Sequence, residues 1–181
     1  GDRFVLRDTS AQRTLGGGRF LDLRPPARKR RTPERRAELA AQAIDDPAEA
    51  LAALLAASKA AVDLDGFARD RAMTAEEIAA VADRLALVRL PVRGVEQALS
   101  AAVAETLRRD VCARLRLHHD QNPDLPGQGL ERLRLEVAPR LPAPTFLAFL
   151  QGLAKRRDVA VEGAWVRLAD HTVRLTDRDE A

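Results

Sequence analysis

Four helix-start signals cut this sequence into short helices and leave only narrow gaps for anything else. Thr32 stands before Pro33, the pairing of N-cap and first-turn proline, and opens the amphipathic run PERRAELAAQAI (33–44). Asp46, Pro47 and Glu49 open a second run through Ala57. Thr74, with Glu77 three residues on, forms a capping box over TAEEIAAVADR. Ser100 caps a long helix over 101–121, with Val103, Leu107, Val111, Leu115 and His118 along one stripe.

The gaps repeat in a fixed order. A strand-like VDL (62–64) and a helix over 65–72 precede the Thr74 helix; LALVRL (85–90) then reads as a strand, Pro91 and Gly94 turn the chain, and VEQAL returns. After the Ser100 helix come the loop PDLPGQG (123–129), the helix LERLRLEVA (130–138) ended by Pro139, and a helix over 143–157. Two strands follow, VAVEG (159–163) and AWVRL (164–168), around Gly163. Helices followed by a two-stranded ribbon is the order of a winged helix. The expectation is a mostly α (α+β) chain with two tandem winged-helix units, over 31–99 and 100–175, and a tail over 176–181.

The first residues do not fit that scheme. In RFVLR (3–7) Phe4 and Leu6 face one way and Arg3, Val5 and Arg7 the other, a half-buried strand. Asp8, Thr9 and Ser10 make a polar turn, and TLGGGRFLDL (14–23) resumes an extended pattern whose three glycines suggest a bulge or close backbone approach. Residues 1–24 thus read as a β-hairpin left over from a barrel, since an isolated hairpin is marginal in water. Its apolar residues Phe4, Leu6, Leu15 and Phe20 need cover.

Composition narrows the class. Aromatics are 3% of the 181 residues, so the cores are built from Leu, Val and Ala. The single Cys, Cys112, excludes an internal disulfide and suits a reducing cytoplasm. No apolar stretch approaches a membrane span. Arg supplies 27 of the 30 basic residues; with the heavy use of Ala this reads as the codon bias of a GC-rich genome, so no single Arg is read as chosen for function. The net charge of +3 is unevenly spread. Residues 23–36 hold seven bases and one acid, whereas 45–83 hold nine acids and three bases. A basic tether (25–36) is followed by an acidic unit.

No catalytic constellation is legible. There is no GxxxxGK[ST] phosphate loop. His118 and His119 are adjacent on a helix, about 100° apart, without a further ligand at metal spacing, and read as complementing the helix C-terminus. His171 stands alone. Cys112, mid-helix, reads as a small core residue. The chain is therefore expected to be no enzyme, to hold no cofactor or metal, and to take no small-molecule substrate.

A winged helix suggests nucleic acid, but its third helix here argues otherwise. TAEEIAAVADR carries Glu76, Glu77 and Asp83 against Arg84 alone, which phosphate would repel. In PAPTFLAFLQGLAKRRD, Phe146, Phe149, Leu150 and Leu153 form the apolar stripe, and Lys155, Arg156 and Arg157 sit at the C-terminal end, away from the end that reads bases. The tether's Arg28, Lys29, Arg30, Arg31, Arg35 and Arg36 offer the better, unspecific RNA contact, and read equally as a solvated linker. Arg132, Lys155, Arg156 and Arg157 are weaker candidates.

The opening GDRFVLRDTSAQRTLGGGRFLD resembles the end of the third domain of an elongation-factor-Tu-like translation GTPase, through Arg3, Phe4, Arg7, Thr14, Gly16 and Gly18. PPARKRRTPERRAELA and HHDQNPDLPGQGLERLR extend the resemblance, over essentially the whole chain, to the bacterial SelB family of selenocysteine-specific elongation factors. The resemblance implies a cytoplasmic factor that, at full length, binds GTP with Mg2+ and selenocysteyl-tRNA, and reads a messenger-RNA hairpin beside an in-frame UGA on the ribosome. It implies that the nucleotide-binding domain lies upstream and the hairpin-reading winged helices beyond Ala181. The present piece would then be a structural spacer between them. The alternatives are a DNA-binding winged-helix regulator, which would show a basic third helix, and a protein-interaction module.

Overall fold

Short helices and strands alternate in the order the caps dictate. The computed structural model describes residues 2–28, 31–58 and 61–173, and the chain divides into two compact units, 1–87 and 88–181.

The first unit begins with a hairpin, β1 (Arg3–Arg7) and β2 (Thr14–Arg19), paired antiparallel with an irregularity between Leu6 and Arg7. Its glycines sit where backbone and ring come close: a Cβ on Gly17 would lie 2.8 Å from the Phe4 carbonyl oxygen, and one on Gly18 2.9 Å from the Phe4 ring. β2 ends at Arg19, but the Phe20 N–H still donates to the Asp2 carbonyl at 2.9 Å, and Phe20, two residues beyond the Gly18 that pairs with Phe4, meets the Phe4 ring at 5.1 Å between centroids. Leu6 and Leu15 remain 55% and 64% exposed, while the Phe4 and Phe20 rings pack on each other.

Helices follow: α1 (Pro33–Gln42), α2 (Pro47–Ala57), the short strand β3 (Val62–Asp63), α3 (Leu64–Asp70) and α4 (Ala75–Arg84). Thr32, Asp46 and Thr74 each cap as their sequence context dictates, and the Thr74–Glu77 box is complete. Leu51, Leu55, Leu64, Phe67, Ile78 and Ala82 form the core. The expected strand over 85–90 starts later. Leu85 and Ala86 finish α4 in a Schellman motif, with Ala86 at φ +49 and Leu87 N–H donating to the Ala82 carbonyl.

The second unit opens with the ribbon β4 (Val88–Val92) and β5 (Val95–Leu99). Pro91 lies inside β4, which tolerates it as a sheet edge, and the turn is made by Arg93 and Gly94, both at positive φ. Then come α5 (Ala101–Gln121), β6 (Gln128–Gly129), α6 (Leu130–Val137), α7 (Ala143–Lys155), β7 (Val159–Glu162) and β8 (Trp165–Leu168). β6, unmarked in the sequence because it is two residues long, pairs with β8 to give the strand order β6-β8-β7. The buried stripe of α5 is Ala104, Leu107, Val111, Leu115 and His118; Val103, in the first turn, is 41% exposed.

The division at Leu87 and Val88 falls before the expected joint at Leu99 and Ser100. The ribbon packs against α7, and the Thr145 hydroxyl donates to Gln97 Oε1 at 2.8 Å. In chain order the elements run α2-β3-α3-α4-β4-β5 and then α5-β6-α6-α7-β7-β8, the same succession twice. No helix among the described residues is long and apolar enough to cross a membrane.

Candidate nucleic-acid interface

The segment that leads into the basic tether is clasped, not free. The chain leaving β2 runs past α1 and α3, and arginines fix it there. Arg19 pairs with Asp45 and donates to the Ala43 carbonyl. Arg24 reaches both Asp70 oxygens at 3.1 Å. Arg71 donates to the Gln42 and Ile44 carbonyls at 3.0 and 2.8 Å, closing the C-terminus of α1, with its guanidinium over the Phe67 ring.

Arg35, one of the six tether candidates, belongs to this clasp. Its side chain is 10% exposed, paired with Asp22 and, at 3.1 Å, with Glu38. Burial works to lower its pKa, but the hydrogen bonds to Glu38 and Asp22 outweigh it and hold the guanidinium charged. Arg28, Arg31 and Arg36 are exposed. Lys29 and Arg30 lie outside the described residues. The structure thus places Arg28, Arg31 and Arg36 at the surface, with Arg35 facing inward.

The remaining candidates lie in the second unit. Lys155, Arg156 and Arg157 are all exposed at the end of α7, with Arg156 Nε 3.5 Å from Asp158. Arg157 takes φ +62 and forms the C-terminal turn with Asp158 N–H donating to the Leu153 carbonyl. Arg132 is 70% exposed and 3.1 Å from Glu136. That carboxylate is a hub. It also pairs with Arg114, accepts from Gln128 Nε2 at 2.7 Å, and is held down to about 2, chiefly by the Arg114 hydrogen bond. On α4, Glu76 and Glu77 are exposed, and Glu77 also accepts the Thr74 N–H at 2.8 Å.

Sequence reasoning kept the three histidines apart, and the structure joins them. His118 Nε2 donates to the Gly127 carbonyl at 3.0 Å, which fixes the loop of the LPGQG stretch. Gly127 is there because a Cβ would lie 2.5 Å from the Val166 carbonyl oxygen. His119 Nε2 accepts the Leu168 N–H at 3.2 Å, and its ring stacks on His171 at 3.6 Å and 5°. Burial, then the charges of His171 and His118, lower His119 to about 4. Parallel rings cannot aim their in-plane lone pairs at one ion, and no group of three or more His, Cys, Asp or Glu among the described residues could hold a metal. The cluster ties the end of β8 to α5. No sequence signal could have found it, since His171 is remote in sequence from the α5 pair.

Comparison with known proteins bears on both ends of the chain. Residues 1–27 match the family model described as selenocysteine-specific elongation factor, beta-barrel domain. Residues 112–168 match the one described as elongation factor SelB, winged helix. The chain is also similar to the selenocysteine-specific elongation factor of Escherichia coli (strain K12), with 32% identity over 181 residues. That alignment takes in 99% of this chain and 28% of the relative's length.

Proposed function

The chain belongs to the SelB family of selenocysteine-specific elongation factors, and on that premise we propose that it works as the spacer joining the barrel of such a factor to its messenger-reading winged helices. One observation carries the reading: a match to a SelB barrel-domain model and a match to a SelB winged-helix model occur in one continuous chain of 181 residues.

In this reading residues 31–99 and 100–175 are two winged-helix bricks, kept for rigidity. The acidic α4, with Glu76 and Glu77 in its first turn, supports a structural role for the first brick, because those charges oppose phosphate. The clasp of Arg19, Arg24, Arg35 and Arg71 supports it too, since a spacer must transmit the orientation of the hairpin to the helices. GTP binding and hydrolysis belong to parts of the factor outside these residues. The parent's partners are selenocysteyl-tRNA, the selenoprotein messenger hairpin and the cytoplasmic ribosome. The chain contributes weak, unspecific RNA contacts through Arg28, Lys29, Arg30, Arg31 and Arg36.

The test is RNA binding measured against salt. Three or four phosphates neutralised on a single strand give a log–log slope of roughly −2 to −3. Converting the five tether cations to Gln abolishes most of that binding, and converting Lys155, Arg156 and Arg157 changes it little. A strong preference for a hairpin, or dominance of the second set, would make the second unit a reader and end the spacer reading.

A further inference from the structure

The three histidine rings hold the loop after α5 and the exit of β8 through bonds of two kinds. His118 Nε2 and His171 Nε2 each meet a backbone carbonyl, that of Gly127 at 3.0 Å and that of Leu125 at 3.1 Å. A carbonyl oxygen only accepts, so both nitrogens carry hydrogen, and an imidazolium keeps both bonds. His119 does the reverse. Its Nε2 accepts the Leu168 N–H, so the neutral ring carries its hydrogen on Nδ1, which is buried without a partner. A proton on Nε2 would set N–H against N–H.

The groups that act on this ring are His118 and Asp120 on α5, and Asp170 and His171 past the end of β8. Arg167, on β8, is turned to the His171 carbonyl at 3.1 Å. Burial and the stacked His171 ring oppose a charge on His119, whereas the two carboxylates favour one. Asp120, Asp170 and the two stacked rings line a cavity of about 350 Å³. A charged ring therefore has both room to turn and a carboxylate to turn to.

We infer that His119 is an acid-opened latch: on taking a proton its ring leaves the Leu168 N–H and the His171 stack, swings into the cavity toward Asp120 and Asp170, and releases residues 168–173 from α5. The step moves one proton from water to Nε2 and breaks no covalent bond. The closed ring resists that proton down to about 4, and a released ring takes it near 6.5, so opening is favoured as pH falls from 6.5 toward 4. The His118 bond to Gly127 survives the change, which confines the opening to the exit of β8. The latch is independent of the RNA reading above.

The experiment follows the 181-residue chain by NMR from pH 7.5 to 4.5. At neutral pH the ring nitrogen shifts show hydrogen on Nδ1 in His119 and on Nε2 in His118 and His171. Amide exchange at Leu168, corrected for its intrinsic rate, speeds up about tenfold or more between pH 6.5 and 4.5, while amides of α7 and β7 keep their protection. His119→Gln offers Leu168 an amide oxygen and cannot titrate, so there the change stays below about twofold. Hydrogen on Nε2 of neutral His119 would overturn the latch. So would Leu168 protection lost only together with that of α7, or the same loss in His119→Gln. Should His119→Gln fail to fold, the wild-type ring shifts decide together with Asp170→Asn, which removes a carboxylate the charged ring turns to and moves the opening to lower pH.

Discussion

The Thr145 hydroxyl, 1% exposed, donates to Gln97 Oε1 at 2.8 Å and so joins the β4–β5 ribbon to the first turn of α7. Thr145→Val removes the donor without changing shape and leaves a part-buried amide oxygen unpartnered. The expected cost is about 1–3 kcal/mol of unfolding free energy. Urea titration measures it, and faster amide exchange over residues 88–99 locates it.

The clasp predicts that two neighbouring arginines differ sharply. Arg36 is exposed and Arg35 is paired with Asp22 under a side-chain exposure of 10%. Arg36→Gln should shift stability by less than about 0.5 kcal/mol. Asp22→Asn should cost roughly 2–4 kcal/mol, because it leaves a shielded guanidinium short of its partner. Equal midpoints for the two variants in denaturant would mean that Asp22 contributes nothing.

Acid should act on Glu136. Its pKa falls from 4.5 to about 2 in the folded chain, mainly through Arg114. A depressed carboxylate contributes stability that is complete above 4.5 and is lost as pH falls from there toward 2. The stability difference between wild type and Glu136→Gln should therefore shrink across that window. Urea midpoints at a series of pH values give the comparison.

His119 acts in a higher window. Its pKa drops from 6.5 to about 4, first through burial. The unfolded chain takes up a proton near 6.5 that the folded chain resists, so stability is full above 6.5 and declines as pH falls toward 4. His119→Phe keeps a ring but cannot titrate, and loses the acceptor for Leu168 N–H. It should be less stable at neutral pH and show a flatter pH dependence between 6.5 and 4.

Charge removal on α4 should leave RNA binding alone. Glu76→Gln with Glu77→Gln keeps a side chain able to complete the capping box. Affinity for single-stranded RNA should stay the same or rise slightly as repulsion is removed. A tenfold loss would show that these carboxylates contact the RNA, and the first unit would not be a passive brick.

What the sequence determined by itself was local. Thr32, Asp46, Thr74 and Ser100 start their helices where they stand, because a cap satisfies N–H groups only three residues away. The hairpin was legible because alternation and glycines act between near neighbours. The limits of such signals show at Val103, which shares the spacing of the α5 stripe yet faces water while Ala104 is buried. They show again at Leu85, where apolar residues that read as a strand complete a helix turn.

Tertiary structure decided which charges are available and which rings meet. Arg35 and Arg36 are indistinguishable in a run of cations, and only the path of residues 19–24 across the helices brings Asp22 to the first. His171 meets His119, and Trp165 lies open beside Gly129, only because β8 is laid between β6 and β7. The physical reason is distance along the chain. Capping and periodicity are fixed by bonds among adjacent residues, whereas burial, ion pairing and stacking between remote residues exist only once the folded core has closed.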